Sequence, residues 1–440
     1  MRRLILIVFA LLLFSGTCLA QDNAPSAPGA RELPPGLIVP TASQPGPGFD
    51  VDKATASYIE LLSPEQRAQS DAYFEGGYWL QLWGFLYGLL VCVIFITTGL
   101  SQKLRDWAMK ISHRPWLYTA IYAVFWIIAG TILGLPLSMY VDFYREHAYG
   151  LSNLSLAGWF AEGGKGLLVS LIIMPWLITG LFSAVRKAGE RWWLYAGVVS
   201  FGVILLISMI APVFISPLFN DYKPLAEGPV KSAIFSLARA NQIPTDNVVY
   251  FDASKQTTRV SANVSGFAGT TQVSLNDNLL NKTSLPEIKA VMGHEMGHYV
   301  LNHGLRLTVY FSIVIIFGFW FVHKVLDKVI LRFGVKYGIS SRTDPAVLPI
   351  AVFVLSIFFL VATPFTNTIV RQAEKEADLY GLNSAREPHG FATAAMRLST
   401  YRKIEPGYWE EIIFYDHPSG YDRVHSSMLW LKENQGLSSK

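Results

Sequence analysis

Cysteine is nearly absent: of 440 residues only Cys18, in the N-terminal signal-like stretch, and Cys92, in an apolar run, carry a thiol. That excludes a disulfide framework, and neither thiol is expected as a metal ligand. Charge is scarce too, with Asp, Glu, Lys and Arg at 15% against 51% hydrophobic residues and a mean hydropathy of +0.33. So apolar a composition excludes an ordinary soluble globule. The net charge of +4 is small for the length and carries no nucleic-acid signature. There is no internal repeat.

What is present is a series of long apolar runs. Met1-Arg-Arg followed by apolar residues from Leu4 to Phe14, with Cys18-Leu-Ala20 before Gln21, predicts a secretory signal peptide over 1–20. Residues 21–50 are proline-rich with few large apolar side chains, and a flexible leader is expected there. Tyr58, Ile59, Leu61 and Leu62, then Ser63-Pro-Glu as a helix start, predict two short helices on the membrane surface within 51–77. Membrane spans are expected at Tyr78–Leu100, Trp116–Tyr140, Gly166–Val185 and Trp193–Ile215, which places four within 78–215. Two more, Leu305–Leu326 and Val347–Val370, fall within 305–370. Trp79, Trp83, Trp116, Trp192 and Trp193 mark their ends, as interfacial aromatics do.

Between the fourth and fifth runs, residues 216–304 are polar and mixed. An amphipathic helix is predicted at Val230–Asn241, a strand at Asn247–Phe251, and a hairpin from Arg259–Val264 and Thr270–Leu275. Ser284-Leu-Pro-Glu287 then starts a helix by its capping-box pattern.

That helix holds the chemistry. His294, Glu295 and His298 stand in H-E-x-x-H spacing. At about 100° per residue the two histidines lie within roughly 40° of each other on one helix face, so both imidazoles reach one metal ion. Glu295 falls beside that face, free to act as general base while Zn²⁺ acidifies water and polarises a scissile carbonyl. A catalytic site of this kind takes a third protein ligand and keeps one position open. Continued helical periodicity puts His303 roughly 180° from His294, facing away. In the later stretch 371–440, Glu374, Glu376 and Asp378 are all candidates, and spacing alone does not choose among them.

The chain resembles the integral-membrane gluzincin family of the type I CAAX prenyl protease and, more distantly, the bacterial heat-shock zinc protease. The residues that carry the likeness are Pro217-Leu-Phe-Asn220 with Pro224-Leu225, Asn263 with Gly266 and Gly269, Leu275-Asn-Asp277, the H-E-x-x-H segment, Arg371-Gln-Ala-Glu374-Lys-Glu-Ala377-Asp378, and His417-Pro418 with Arg423. The likeness covers about 215–425, whereas the first two hundred residues agree mainly in having several membrane runs. It implies that Glu374 is the third zinc ligand, that Asp378 orients a zinc histidine, and that Arg371 and Arg423 support the site. It implies further that His417 donates to the oxyanion and that Asn263, Val264 and Ser265 form an edge strand for an extended peptide. Glu376, about 200° from Glu374 on a helix, is then expected to be solvated and silent. Departures from the family pattern are Val370 and Val264, in place of its Ser and Ala, and a signal sequence in place of its first membrane helix.

The expected protein is mainly α: a polytopic membrane helix bundle with a zincin-type metalloprotease domain, small β-hairpin included, in 216–304 and 371–440. With one Zn²⁺ per chain it would hydrolyse membrane-associated or unfolded polypeptides. A true CAAX prenyl protease is the alternative, and a membrane chaperone with a little-used zinc site is a third reading. Basic residues concentrate in 101–115, 186–191 and 324–342, loops that share one side if the runs alternate. Since Lys and Arg mark cytoplasmic loops, the metal domain is expected on the periplasmic side of a bacterial inner membrane, in agreement with the signal sequence.

Overall fold

The computed structural model describes residues 33–266 and 271–435; the predicted signal peptide lies outside them. Helix α1 (Val51–Ile59) precedes α2 (Pro64–Thr97), and a short amphipathic helix α3 (Leu100–Ile111) leads to α4 (Pro115–Ser138), α5 (Leu156–Lys187) and α6 (Trp192–Ile210). The polar domain follows as β1 (Tyr222–Pro224), α7 (Pro229–Ala240), β2 (Asn247–Phe251), β3 (Ala262–Ser265), β4 (Gln272–Asn276), α8 (Asp277–Lys282) and α9 (Leu285–Val300). Two long helices, α10 (His303–Val329) and α11 (Leu348–Ala385), return through the bundle, and α12 (Pro388–Leu398), α13 (Tyr408–Phe414) and α14 (Gly420–Glu433) complete the polar domain.

Six of these helices (α2, α4, α5, α6, α10, α11) are long and apolar enough to cross a bilayer, and they correspond to the six predicted runs. Their outward side chains stay uncovered: Val361 is 76% exposed and Ile172 68%. So large an apolar surface requires lipid as its solvent.

The three basic loops meet at one end of the bundle. Arg105 pairs with Asp344, Ser101 donates its hydroxyl to the Ala346 carbonyl at 2.8 Å, Arg186 reaches the Thr343 carbonyl at 3.3 Å, and Arg342 pairs with Glu190. At the other end the 141–165 connection meets the polar domain, where Glu146 pairs with Arg259 at 2.7 Å and Ser152 bridges Thr257.

Residues 33–62 are not the loose leader and surface helices expected of them. Val51, Ala54, Tyr58, Ile59 and Leu62 pack with Ala395, Met396, Val424 and Met428 in one buried cluster. Buried Arg397 donates to the carbonyls of Leu33, Pro34 and Gly36 at 2.8–3.0 Å while its Nε meets Glu287, itself 0% exposed, at 2.5 Å. Thr393 similarly holds the Ile38 carbonyl at 2.9 Å. The second expected surface helix is the first part of α2, which starts at the Ser63–Gln66 capping box and meets no breaker before Thr98. A short apolar face looks alike whether lipid or protein covers it.

In the polar domain the expected hairpin proves to be half of a four-stranded sheet, ordered β1-β2-β4-β3, with β2 and β4 parallel. Val248, Val273 and Leu275 from the sheet bury with Ile288, Met292 and Met296 of α9. Because that stripe faces the sheet, the other side of α9 is turned toward α11. Glycine makes the contact close: a Cβ on Gly381 would lie 2.7 Å from the His294 backbone nitrogen, and one on Gly297 3.2 Å from the Ala377 backbone.

Candidate metal centre and active site

The α9–α11 contact brings His294, His298 and Glu374 together, with one ligand atom from each within 4.8 Å of the others. The two Nε2 atoms are 3.0 Å apart, and Glu374 carboxylate oxygens lie 3.4 Å from each. Ligands at about 2.0–2.1 Å on a tetrahedral ion stand roughly 3.3 Å from one another, so this donor set fits Zn²⁺. Spacing left three acidic candidates open; of these Glu374 is the one whose carboxylate meets both Nε2 atoms.

The supporting groups are as specific. Asp378 accepts from His294 Nδ1 at 2.7 Å, which fixes that ring with Nε2 toward the cluster. Arg423 bridges the two carboxylates, its Nε 2.9 Å from Asp378 and its Nη2 3.2 Å from Glu374. Arg371 is placed differently from expectation. It donates to the carbonyls of Glu411 and Tyr415 at 2.8 and 2.5 Å, and so braces the segment before His417 instead of touching a ligand.

His417 comes to the cluster, its Nε2 3.3 Å from Glu374, and its Nδ1 is held at 2.7 Å by Asp416. Sequence reading missed Asp416, although an acid beside a candidate histidine was its visible signal. His294, Glu295, Glu374 and His417 line a cavity of about 190 Å³, whose other walls include Val260, Ala262 and Arg402. Burial raises the Glu295 carboxyl above its ordinary value, toward the range where it can take up and return a proton. Arg402 makes no side-chain hydrogen bond or ion pair among the described residues, leaving a cation on the cavity wall. Residues 260–262 lead into β3, the sheet's outer strand, whose Asn263, Val264 and Ser265 pair inward with Ser274, Val273 and Gln272. Its other edge pairs with no strand among the described residues.

One expectation about the periphery fails. His303 does not face away: α9 ends at Val300, Asn302 turns through the left-handed region at φ 54°, and His303 begins a new helix. A helical wheel holds only while the helix continues. His303 Nδ1 therefore sits 2.9 Å from His298 Nδ1, and His303 Nε2 lies 3.2 Å from Glu376. Glu376 is exposed, as expected, and is also engaged by His303 and by Arg306 at 2.7 Å.

Comparison with known proteins agrees with this geometry. Residues 52–221 match the family segment described as CAAX prenyl protease N-terminal, five membrane helices, and residues 224–427 match peptidase family M48. An uncharacterized metalloprotease, YhfN, of Bacillus subtilis is 26% identical over 84% of this chain and 87% of its own. CAAX prenyl protease 1 of Saccharomyces cerevisiae is 30% identical over 52% of this chain and 53% of its own. The crystal structure of S. mikatae Ste24p superposes with a TM-score of 0.70 at 24% identity, covering 83% of this chain and 89% of that one. With the membrane segment and the ligand-bearing domain each matched in order, the chain belongs to the M48 peptidases and is an integral-membrane metalloprotease.

Proposed function

We propose that the metal is zinc and that the enzyme cleaves membrane-associated or unfolded polypeptides at the periplasmic face of a bacterial inner membrane. The observation that carries the chemistry is the triangle of His294, His298 and Glu374 at 3.0–3.4 Å, with Glu295 beside it on the cavity wall. Zinc held there would supply an activated water and polarise the scissile carbonyl. Glu295 takes the proton from the attacking water and returns it to the leaving amine, and the raised proton affinity of its partly buried carboxyl suits both halves of that task. His417, held by Asp416, is aimed to donate to the oxygen on which charge develops. The outer edge of β3, which pairs with no strand among the described residues, offers backbone hydrogen bonds to an extended peptide and so favours polypeptide over a small-molecule substrate. Intact general-base machinery supports an enzyme over a chaperone with a structural zinc, since a structural site is closed by four ligands.

The orientation rests on the end of the bundle where the basic loops gather. They lie opposite the metal domain, and basic loops are cytoplasmic. Residues 33–62 and the C-terminal helices share one buried cluster, so both flanks of the six spans lie on one side.

The test is Glu295→Gln in the purified full-length protein. It should retain about one zinc per chain and lose peptide hydrolysis, and wild-type activity should vanish with a chelator and return with Zn²⁺. Near wild-type turnover by the variant would refute the assignment.

A further inference from the structure

Each histidine of the metal triangle turns Nε2 inward, so its Nδ1–H needs an acceptor behind it. For His294 that acceptor is a buried carboxylate, Asp378. For His298 it is another imidazole. His298 Nδ1 and His303 Nδ1 are 2.9 Å apart, and one must donate while the other accepts. With His298 Nε2 committed to the metal its proton is on Nδ1, so His303 accepts on Nδ1 and carries its own proton on Nε2. That proton points at Glu376 Oε2, 3.2 Å away, and Glu376 is held in turn by Arg306 at 2.7 and 3.3 Å. The donor directions are consistent from end to end, and His303 is 1% exposed with both ring nitrogens used.

We infer that Glu376 and His303 form a positioning relay that fixes the tautomer and orientation of His298 in the metal centre. The inference rests on the metal-binding reading of His294, His298 and Glu374. His303 is not a fourth ligand, because its partner is the nitrogen of His298 that points away from the triangle. Neither relay residue lines the cavity at the metal centre. His303 and Arg306 sit in the first turn of the membrane-spanning α10, and Glu376 lies on α11, which also carries Glu374 and Asp378. The relay therefore ties the second histidine of α9 to both membrane helices, whereas Asp378 ties the first to α11 alone.

Zinc affinity, measured by competition with a chromogenic chelator on full-length protein in detergent, tests this apart from turnover. His303→Leu should bind zinc about 10- to 100-fold more weakly, the usual range for losing such a support. Glu376→Gln should weaken binding by less, and the double variant should be no weaker than His303→Leu alone, since Glu376 acts only through His303. Should His303→Leu fold poorly, His303→Asn, whose side-chain oxygen can accept from His298 Nδ1, should fold and recover part of the affinity. Glu376→Gln changes a half-exposed side chain and reports in any case. The absorption bands of the Co²⁺ form should shift in His303→Leu, reporting altered ligand geometry that a remote packing defect would leave alone. Zinc affinities within twofold of wild type in His303→Leu and Glu376→Gln, or losses that simply add, would overturn the relay while leaving the metal centre standing. A wild-type protein that bound no zinc would overturn both.

Discussion

Gly381→Ala offers the sharpest test of how the two ligand-bearing helices set the metal geometry. Gly381 lies on α11 against the turn of α9 that carries His294, and an added methyl would stand 2.7 Å from the His294 nitrogen and 3.0 Å from its Cα. Both obstacles are backbone, so no side chain can swing aside. Ordinary contact begins near 3.4 Å, and the helices must separate by about 0.7 Å or the methyl cannot be housed. Alanine gains about 1 kcal/mol of helix propensity over glycine, while overpacking a tight contact costs about 1–3 kcal/mol. The net stability loss is therefore small, on the order of 0–2 kcal/mol. The metal is less forgiving, since zinc distances tolerate only about 0.2 Å. Glu374 and Asp378 ride on α11 and both histidines on α9, so separation stretches the triangle directly. Zinc affinity should fall by at least about 10-fold, as when a ligand loses its support, with the fold retained by circular dichroism. Gly202→Ala, where nothing lies within 4 Å of the added methyl, is the matched control and should leave affinity unchanged. Wild-type zinc affinity in Gly381→Ala would show that the helix contact does not govern the site.

Two other outcomes follow from the architecture. The Tyr58 hydroxyl is hydrogen-bonded to His389 Nδ1 at 2.8 Å and so pins residues 33–62 to α12, while burial holds the His389 imidazole below its ordinary proton affinity. A group whose folded pKa is depressed takes up fewer protons folded than unfolded, so docking is strongest above the unfolded value near 6.5 and weakens as pH falls below it. Limited proteolysis within 33–62 should accelerate from about pH 6.5 to 5, and His389→Gln should remove that dependence; a parallel profile in the variant would disprove it. For orientation, Glu433→Cys in a chain with Cys18→Ala and Cys92→Ala should react with a membrane-impermeant thiol reagent in intact spheroplasts. Labelling only after lysis would place the metal domain in the cytoplasm.

What could be read from residues alone was whatever depends on short-range periodicity or on composition. Six apolar runs announced six spans because a bilayer sets both length and polarity in advance. His294 and His298 declared a shared face because four residues of unbroken helix fix their angle whatever surrounds them. Wherever a statement needed two distant segments, the sequence was silent or misleading. Periodicity could not choose Glu374 over Glu376 or Asp378; the family likeness named Glu374, and the crossing of α11 over α9 shows its carboxylate at both Nε2 atoms. The wheel that sent His303 away failed at Asn302, a single left-handed residue that restarts the helix and so brings His303 between His298 and the exposed Glu376. Arg371 and Arg423 lie in equally basic-looking motifs, yet one braces loop carbonyls and the other bridges the ligand carboxylates. Nor did the apolar face of 51–62 say that protein, not lipid, would cover it. Local angles are properties of a helix by itself, but which carboxylate meets which imidazole is decided by how closely two helices approach, and here the glycines Gly293, Gly297 and Gly381 and the absence of their side chains decide it.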